Sequence, residues 1–173
     1  MKNLYKFVSV LLVIMFAFGV YAPVVQAAPK GDTIVEVALA ANAESGEFSI
    51  LIAALQAADP AVIQTLSGNG QFTVFAPTDA AFVSLLAELG VTADTLLSNQ
   101  DLVTRVLLYH VARGNRNSTS VIHSNRIRTL ERGFLYQDGG VLTDANGRTA
   151  NIIATDIQAS NGVIHVIDRV VLP

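Results

Sequence analysis

Phe72-Thr-Val-Phe-Ala-Pro-Thr-Asp-Ala-Ala-Phe82 is the stretch that decides the fold. Phe72 to Ala76 is a run of aromatic, β-branched and small residues without charge, which predicts a buried strand. Pro77 stops the strand, because it has no N–H to give to a ladder. Thr78 then stands where its hydroxyl caps a helix, and Asp79 lies in the first turn, where a carboxylate suits the positive end of the helix dipole. Phe82, Leu85 and Leu86 recur at helical spacing and predict the buried face of that helix. Strand, proline, cap and helix in such quick succession form a rigid corner that few folds need.

Upstream of the corner the chain reads as helical. Ile34, Val35, Ala38 and Leu39 make one apolar stripe, and Phe48, Leu51, Ile52 and Leu55 make another. Asp59-Pro60 is a cap followed by proline at the first helical position, opening a short helix that ends near Ser67-Gly68. Downstream, Gly90 ends the corner helix and Thr92 restarts a short turn. Asp101 to about His110 is a further amphipathic helix with Leu102, Val103, Val106 and Leu107 on its buried side. From Val111 the texture changes to short strands, clearest at Phe134 to Tyr136, Val141 to Thr143, Asn151 to Ala154 and Val163 to Leu172. Asp138-Gly139-Gly140, Asn146-Gly147 and Asn161-Gly162 are the turns between them. Helices first and strands mainly afterwards predict an α+β domain with much antiparallel pairing.

The N-terminus reads as an export signal. Lys2 and Lys6 give a positive start, Phe7 to Ala22 is apolar, Pro23 breaks the run, and Val25-Gln26-Ala27 offers small residues to a signal peptidase. Residues 1–27 are therefore the expected signal, with cleavage after Ala27, since a cut after Ala28 would leave Pro29 just beyond the bond. The apolar run falls short of the about 20 residues a bilayer span needs, so retention as an anchor is the second reading. Removing the signal leaves 28–173 as one domain with nine cations against 14 acids, a net charge of −5 in place of −3. That balance argues against nucleic acid as a partner. The 51% hydrophobic content is inflated by the signal and does not argue for a membrane protein. Once the signal is gone, no stable membrane insertion is expected. The absence of cysteine excludes disulfides, thiolate metal sites, a cysteine nucleophile and a lipid-attachment cysteine.

The corner closely resembles the first signature segment of fasciclin domains, an extracellular adhesion and interaction module. Leu107-Leu-Tyr-His-Val111 resembles that family's tyrosine-histidine motif, and Asn151 to Pro173, with Ala159-Ser-Asn-Gly-Val-Ile-His-Val-Ile-Asp-Arg-Val-Val-Leu-Pro173 as its core, resembles the closing signature. The resemblance runs from about Asp32 to Pro173. It implies a wedge-shaped β-sandwich decorated by helices, in agreement with the reading from the residues. It also implies Leu107, Leu108, Tyr109 and His110 as binding residues, because the motif is implicated in integrin binding in animal relatives. The residues themselves favour structure. Tyr109 and His110 end an apolar helix, a covered imidazole needs a hydrogen-bond partner, and Asp79 or Thr78 is the expected one.

Structural roles fall to Phe72, Thr73, Val74, Phe75, Ala76, Pro77, Thr78, Asp79 and Phe82 in the corner, and to Asn161, Gly162, His165 and Asp168 in the closing strand. Alternation puts His165 and Ile167 on one face of that strand and Ile164 and Val166 on the other, both apolar, as in a central strand. His110, His123 and His165 show no helical metal spacing, so neither a metal nor a cofactor is expected.

One feature lies outside the family pattern. Arg105, Arg113, Arg116, Arg126, Arg128 and Arg132 gather six of the nine cations within 28 residues, over which Glu131 is the only acid. Arg113, Arg116, Arg126 and Arg128 are accordingly candidate binding residues for anionic polysaccharide, phospholipid headgroups or an acidic protein. The plainer reading is a solvated polar loop over Asn115 to Thr129. Asn117-Ser118-Thr119 matches a glycosylation acceptor, but the compact signal looks bacterial and occupancy is not expected.

No Gly-x-Ser-x-Gly elbow, Ser-x-x-Lys pair or phosphate-cradling loop is present, so the chain is not expected to be an enzyme. The resulting expectation is a secreted or periplasmic module that binds an extracellular or cell-surface protein or polysaccharide without catalysis. A lone module with one binding face cannot bridge two surfaces, so weak self-association into a homo-oligomer is one route left open. The alternative is a carrier of a small apolar ligand or pigment or, further off, an ester or polyester hydrolase.

Overall fold

A computed structural model describes residues 31–173. The signal expected over residues 1–27 and its cleavage after Ala27 lie outside the described residues. Six helices precede most of the strands. Helix α1, Ile34–Ser45, opens on a capping box in which Thr33 and Glu36 satisfy each other's backbone. Helix α2, Ser49–Ala57, has no side-chain cap at its own N-cap residue. Helix α3, Pro60–Leu66, is capped by Asp59 with proline in its first turn. The corner follows as expected: strand β1, Phe72–Pro77, runs into helix α4, Asp79–Leu89, where the Thr78 hydroxyl accepts from the Ala81 N–H at 3.3 Å. Helices α5, Ala93–Leu97, and α6, Gln100–Tyr109, complete this half.

The remainder comprises β2 (Val111–Arg113), α7 (Ser118–Ile122), β3 (Arg126–Arg128), β4 (Phe134–Asp138), β5 (Val141–Thr143), β6 (Thr149–Ala159) and β7 (Gly162–Ile167). Asn115 to Thr129 is thus no plain loop, since it contains α7 and β3. The last strand ends five residues earlier than expected, at Ile167: the Asp168 N–H still reaches the Asn151 carbonyl of β6, but further on the backbone turns to side chains. Val171 donates to His110 Nε2 and Leu172 donates to Asp144 Oδ2.

The strands form one sheet in the order β2-β1-β7-β6-β5-β4-β3, with β1 and β7 parallel and the other pairs antiparallel. Strand β6 bends the sheet. It pairs with β5 through Thr149–Asn151 and with β7 further on, with register shifts between and Asp156 at φ +61°. The bend brings the two edges together at a bridge between Ala112 and Thr129, so the α+β fold is a wedge-like, nearly closed sheet with the N-terminal helices on one side and α7 packed against β4.

Two cores result. Phe72, Val74, Ala76, Ile164 and Val166 face the helices, whereas Phe75, Ile167, Tyr109, Ile127 and Leu135 fill the space inside the bent sheet. Strands β1 and β7 are covered on both faces, which is why they read as continuous apolar runs. Asn161 locks helices to sheet: its Oδ1 accepts from the Ile34 N–H at 2.8 Å, and its Nδ2 donates to the carbonyls of Leu66 and Gly68. Gly162 must be glycine, since a Cβ there would collide with the Phe72 carbonyl on β1.

Candidate functional site

Tyr109 and His110 end α6 inside the protein, at 0% and 2% exposure. The Tyr109 hydroxyl donates to the Phe134 carbonyl at 2.7 Å and accepts from the Ala145 N–H, and burial pushes its pKa up. His110 finds its partners in backbone rather than in Asp79 or Thr78. Its Nδ1 lies 2.7 Å from the Val106 carbonyl and its Nε2 accepts from the Val171 N–H at 3.2 Å, which fixes the neutral Nδ1–H tautomer. Burial lowers its pKa to about 4, against smaller upward pulls from the Val106 bond and Asp144. Leu107 is buried and Leu108 half-buried. The two rings therefore join α6, the C-terminal segment and β4, and present little surface to a partner.

Asp79 does more than begin its own helix. Its carboxylate accepts from the N–H groups of Ser49 and Ile50, supplying from α4 the cap that α2 lacks. Asp168 binds the backbone and side-chain N–H groups of Asn151 at 2.7 Å each. His165, fully buried and stacked on Phe75, accepts at Nδ1 from the Asp156 N–H and donates from Nε2 to the Arg116 carbonyl at 2.8 Å. Ser118 and Asp156 lie nearby, yet the serine hydroxyl donates straight to the carboxylate and both imidazole nitrogens serve backbone groups. This trio lacks the base-to-nucleophile bond that acyl transfer requires. Among the described residues, no three histidines or carboxylates converge as metal ligands.

The arginines sort themselves. Arg105 pairs with Glu131 at 3.2 Å, which engages the one acid of the span, and Arg126 lies over the Phe134 ring at 4.9 Å. Arg113, Arg116, Arg128 and Arg132 instead surround a cleft of about 400 Å3, with Thr129 and Leu130 completing its wall. The cleft sits at the seam where β2 and β3 meet. Among the described residues, none of its four arginines forms an ion pair.

The walls are fixed from beneath. The buried Thr73 hydroxyl accepts from the Arg116 N–H at 2.9 Å and donates to the Gly114 carbonyl at 2.7 Å, while His165 holds the Arg116 carbonyl. Arg116 Nε is itself buried without a hydrogen-bond partner. Arg132 takes φ +86°, a left-handed conformation that costs a non-glycine residue on the order of 1–3 kcal/mol. Arg132 joins the candidate binding arginines only in the structure, and no sequence signal marks its strain. Thr73 likewise looks like any strand threonine.

On the other side of α6, between α2, α4 and α5, lies a cavity of about 250 Å3 lined by apolar side chains, including Leu51, Phe82, Leu85, Leu102 and Leu107, with His110 at its wall. Leu102, expected on the buried side, is 39% exposed at this cavity.

The fold, the corner and the buried tyrosine-histidine pair define a class. The family model for the fasciclin domain matches residues 46–173, and the chain belongs to that family. It is 43% identical over 146 residues to Protein sll1483 of Synechocystis sp., covering 82% of this chain and 73% of that one. Immunogenic protein MPB70 of Mycobacterium bovis is 32% identical over 154 residues, with 87% and 76% covered. Transforming growth factor-beta-induced protein ig-h3 of Sus scrofa is 33% identical over 146 residues, covering 84% of this chain but 20% of that one. Among solved structures, the FAS1 domain pair from the insect cell adhesion molecule Fasciclin I superposes with a TM-score of 0.59 at 22% identity, covering 74% of this chain and 46% of that one. At that identity the likeness speaks to the fold.

Proposed function

We propose that this chain is an extracellular recognition module that binds a surface or matrix partner, protein or polysaccharide, through its arginine-lined seam and performs no chemistry. The observation that carries this reading is the convergence on one cleft of four arginines that form no ion pair among the described residues, in a chain whose net charge is −3. The motif residues Tyr109, His110, His165 and Asp79 are engaged internally, which favours the cleft over them as the contact surface. Residues 28–173 act as the single exported domain after cleavage behind Ala27, and weak self-association supplies the second site that bridging needs. The test is capture from envelope and matrix extracts by the immobilised protein, compared with a folded variant carrying Arg113, Arg116 and Arg128 as glutamine. Capture by the wild type alone supports the reading, and equal capture by both contradicts it.

The apolar cavity of about 250 Å3 favours a second reading, carriage of a small apolar ligand. A coloured purified protein, or a melting temperature raised by apolar ligands, supports it. An unchanged melting temperature across a ligand panel and a colourless preparation argue against it.

A further inference from the structure

We propose that the seam cleft is a site for acidic polysaccharide, a chain bearing carboxylate or sulfate groups. The inference rests on the recognition reading above and names its partner. Guanidinium groups present a planar fork that matches two oxygens of a carboxylate or sulfate, and four of them around one recess offer several such contacts to a repeating polyanion.

The site is built before any ligand arrives. Both backbone groups of Arg116 are held by buried side chains, Thr73 on one side and His165 on the other, and the second wall is joined to β2 by the Leu130 N–H bond to the Val111 carbonyl. Side chains on such walls lose little freedom on binding, which favours affinity. The strained backbone at Arg132 places a fourth guanidinium where a glycine would serve the turn at no cost.

Shape and composition select among polyanions. Leu130 is the one large apolar side chain in the cleft wall, so an acidic protein would find no apolar centre for its interface there. A lipid surface is flat and cannot enter a recess, and the acidic charge of the remaining domain opposes approach to an anionic bilayer. A polysaccharide threads a recess and contributes charge at every repeat. The path also continues beyond the cleft. Arg128 and Arg126 share the outward face of β3, opposite Phe134 and Tyr136 of β4, and Tyr136 is 52% exposed. Further sugar rings would lie along this strip of guanidinium and aromatic groups.

The experiment measures binding of the protein recovered from expression of the full chain to dextran sulfate and to alginate. Uncharged dextran and phosphatidylglycerol vesicles serve as comparison probes. The expected result is binding to an acidic polysaccharide that weakens as salt rises, with none to dextran. Arg113→Gln/Arg128→Gln, both exposed positions, is expected to weaken binding by about tenfold or more without lowering the melting temperature. Arg105→Gln, whose partner is Glu131, is expected to leave it unchanged. Equal binding by wild type and the double variant overturns the proposal, as does binding to the vesicles alone. If the wild type captures an envelope partner through its arginines but binds neither acidic polysaccharide, this inference falls and the recognition reading stands. If extract capture fails as well, both fall.

Discussion

His165 Nε2 donates to the carbonyl of Arg116 at 2.8 Å, so a buried imidazole on a central strand holds one wall of the arginine cleft. The closing segment that carries His165 and the arginine-rich segment that carries Arg116 thus meet in one hydrogen bond. Replacing His165 by alanine leaves the Arg116 carbonyl and the Asp156 N–H without partners and opens a hole against Phe75. A loss of about 3 kcal/mol in urea unfolding is expected. The folded fraction is also expected to bind a polyanion more weakly than wild type, which a purely stabilising histidine would not cause.

His110 makes stability depend on pH. Its folded pKa is about 4, below the ordinary 6.5, so the unfolded chain takes up the proton first. Stability from this group is fully present above pH 6.5, falls between 6.5 and about 4, and is flat below, for a total of about 3 kcal/mol. Urea midpoints measured across that window are expected to drop more steeply for wild type than for His110→Gln, because the carboxylates titrate in both proteins.

Asp79→Ala removes two acceptors from the start of α2. A loss of about 1–2 kcal/mol is expected, with Asp79→Asn losing less because one acceptor oxygen remains. Equal stability of the alanine variant and the wild type would show that water caps α2 as well as Asp79 does.

Gly162→Ala forces a methyl group into the Phe72 carbonyl at the start of the parallel β1–β7 pair. A loss of about 3 kcal/mol or more is expected from chemical denaturation, larger than for alanine at an ordinary turn glycine such as Gly139, where a Cβ meets nothing within 4 Å.

The corner was legible because each of its signals is local: Pro77 stops a strand, Thr78 caps, and Gly90 closes in the left-handed conformation. The arginine cluster was legible as charge but not as a site. Whether Arg105 or Arg116 faces the cleft depends on where Glu131 and Thr73 stand in space, and spacing along the chain does not carry that. Strands β2 and β3 have three residues each and exist because their neighbours pair with them, so their own sequences give no periodicity to read. The burial of His110 was legible but its partners were not, for a related reason: they are backbone groups of Val106 and Val171, and every residue type carries those.

The central claim is that recognition belongs to the arginine seam and the tyrosine-histidine pair belongs to the core. The measurement that tests it most directly is retention of envelope fragments by two variants, Arg113→Gln/Arg128→Gln and His110→Gln, each normalised to its folded fraction. The account predicts that the arginine variant keeps its melting temperature and loses retention, whereas the His110 variant loses stability and retains fragments as well as wild type per folded molecule. Loss of retention by the folded His110 variant, with full retention by the arginine variant, would contradict it.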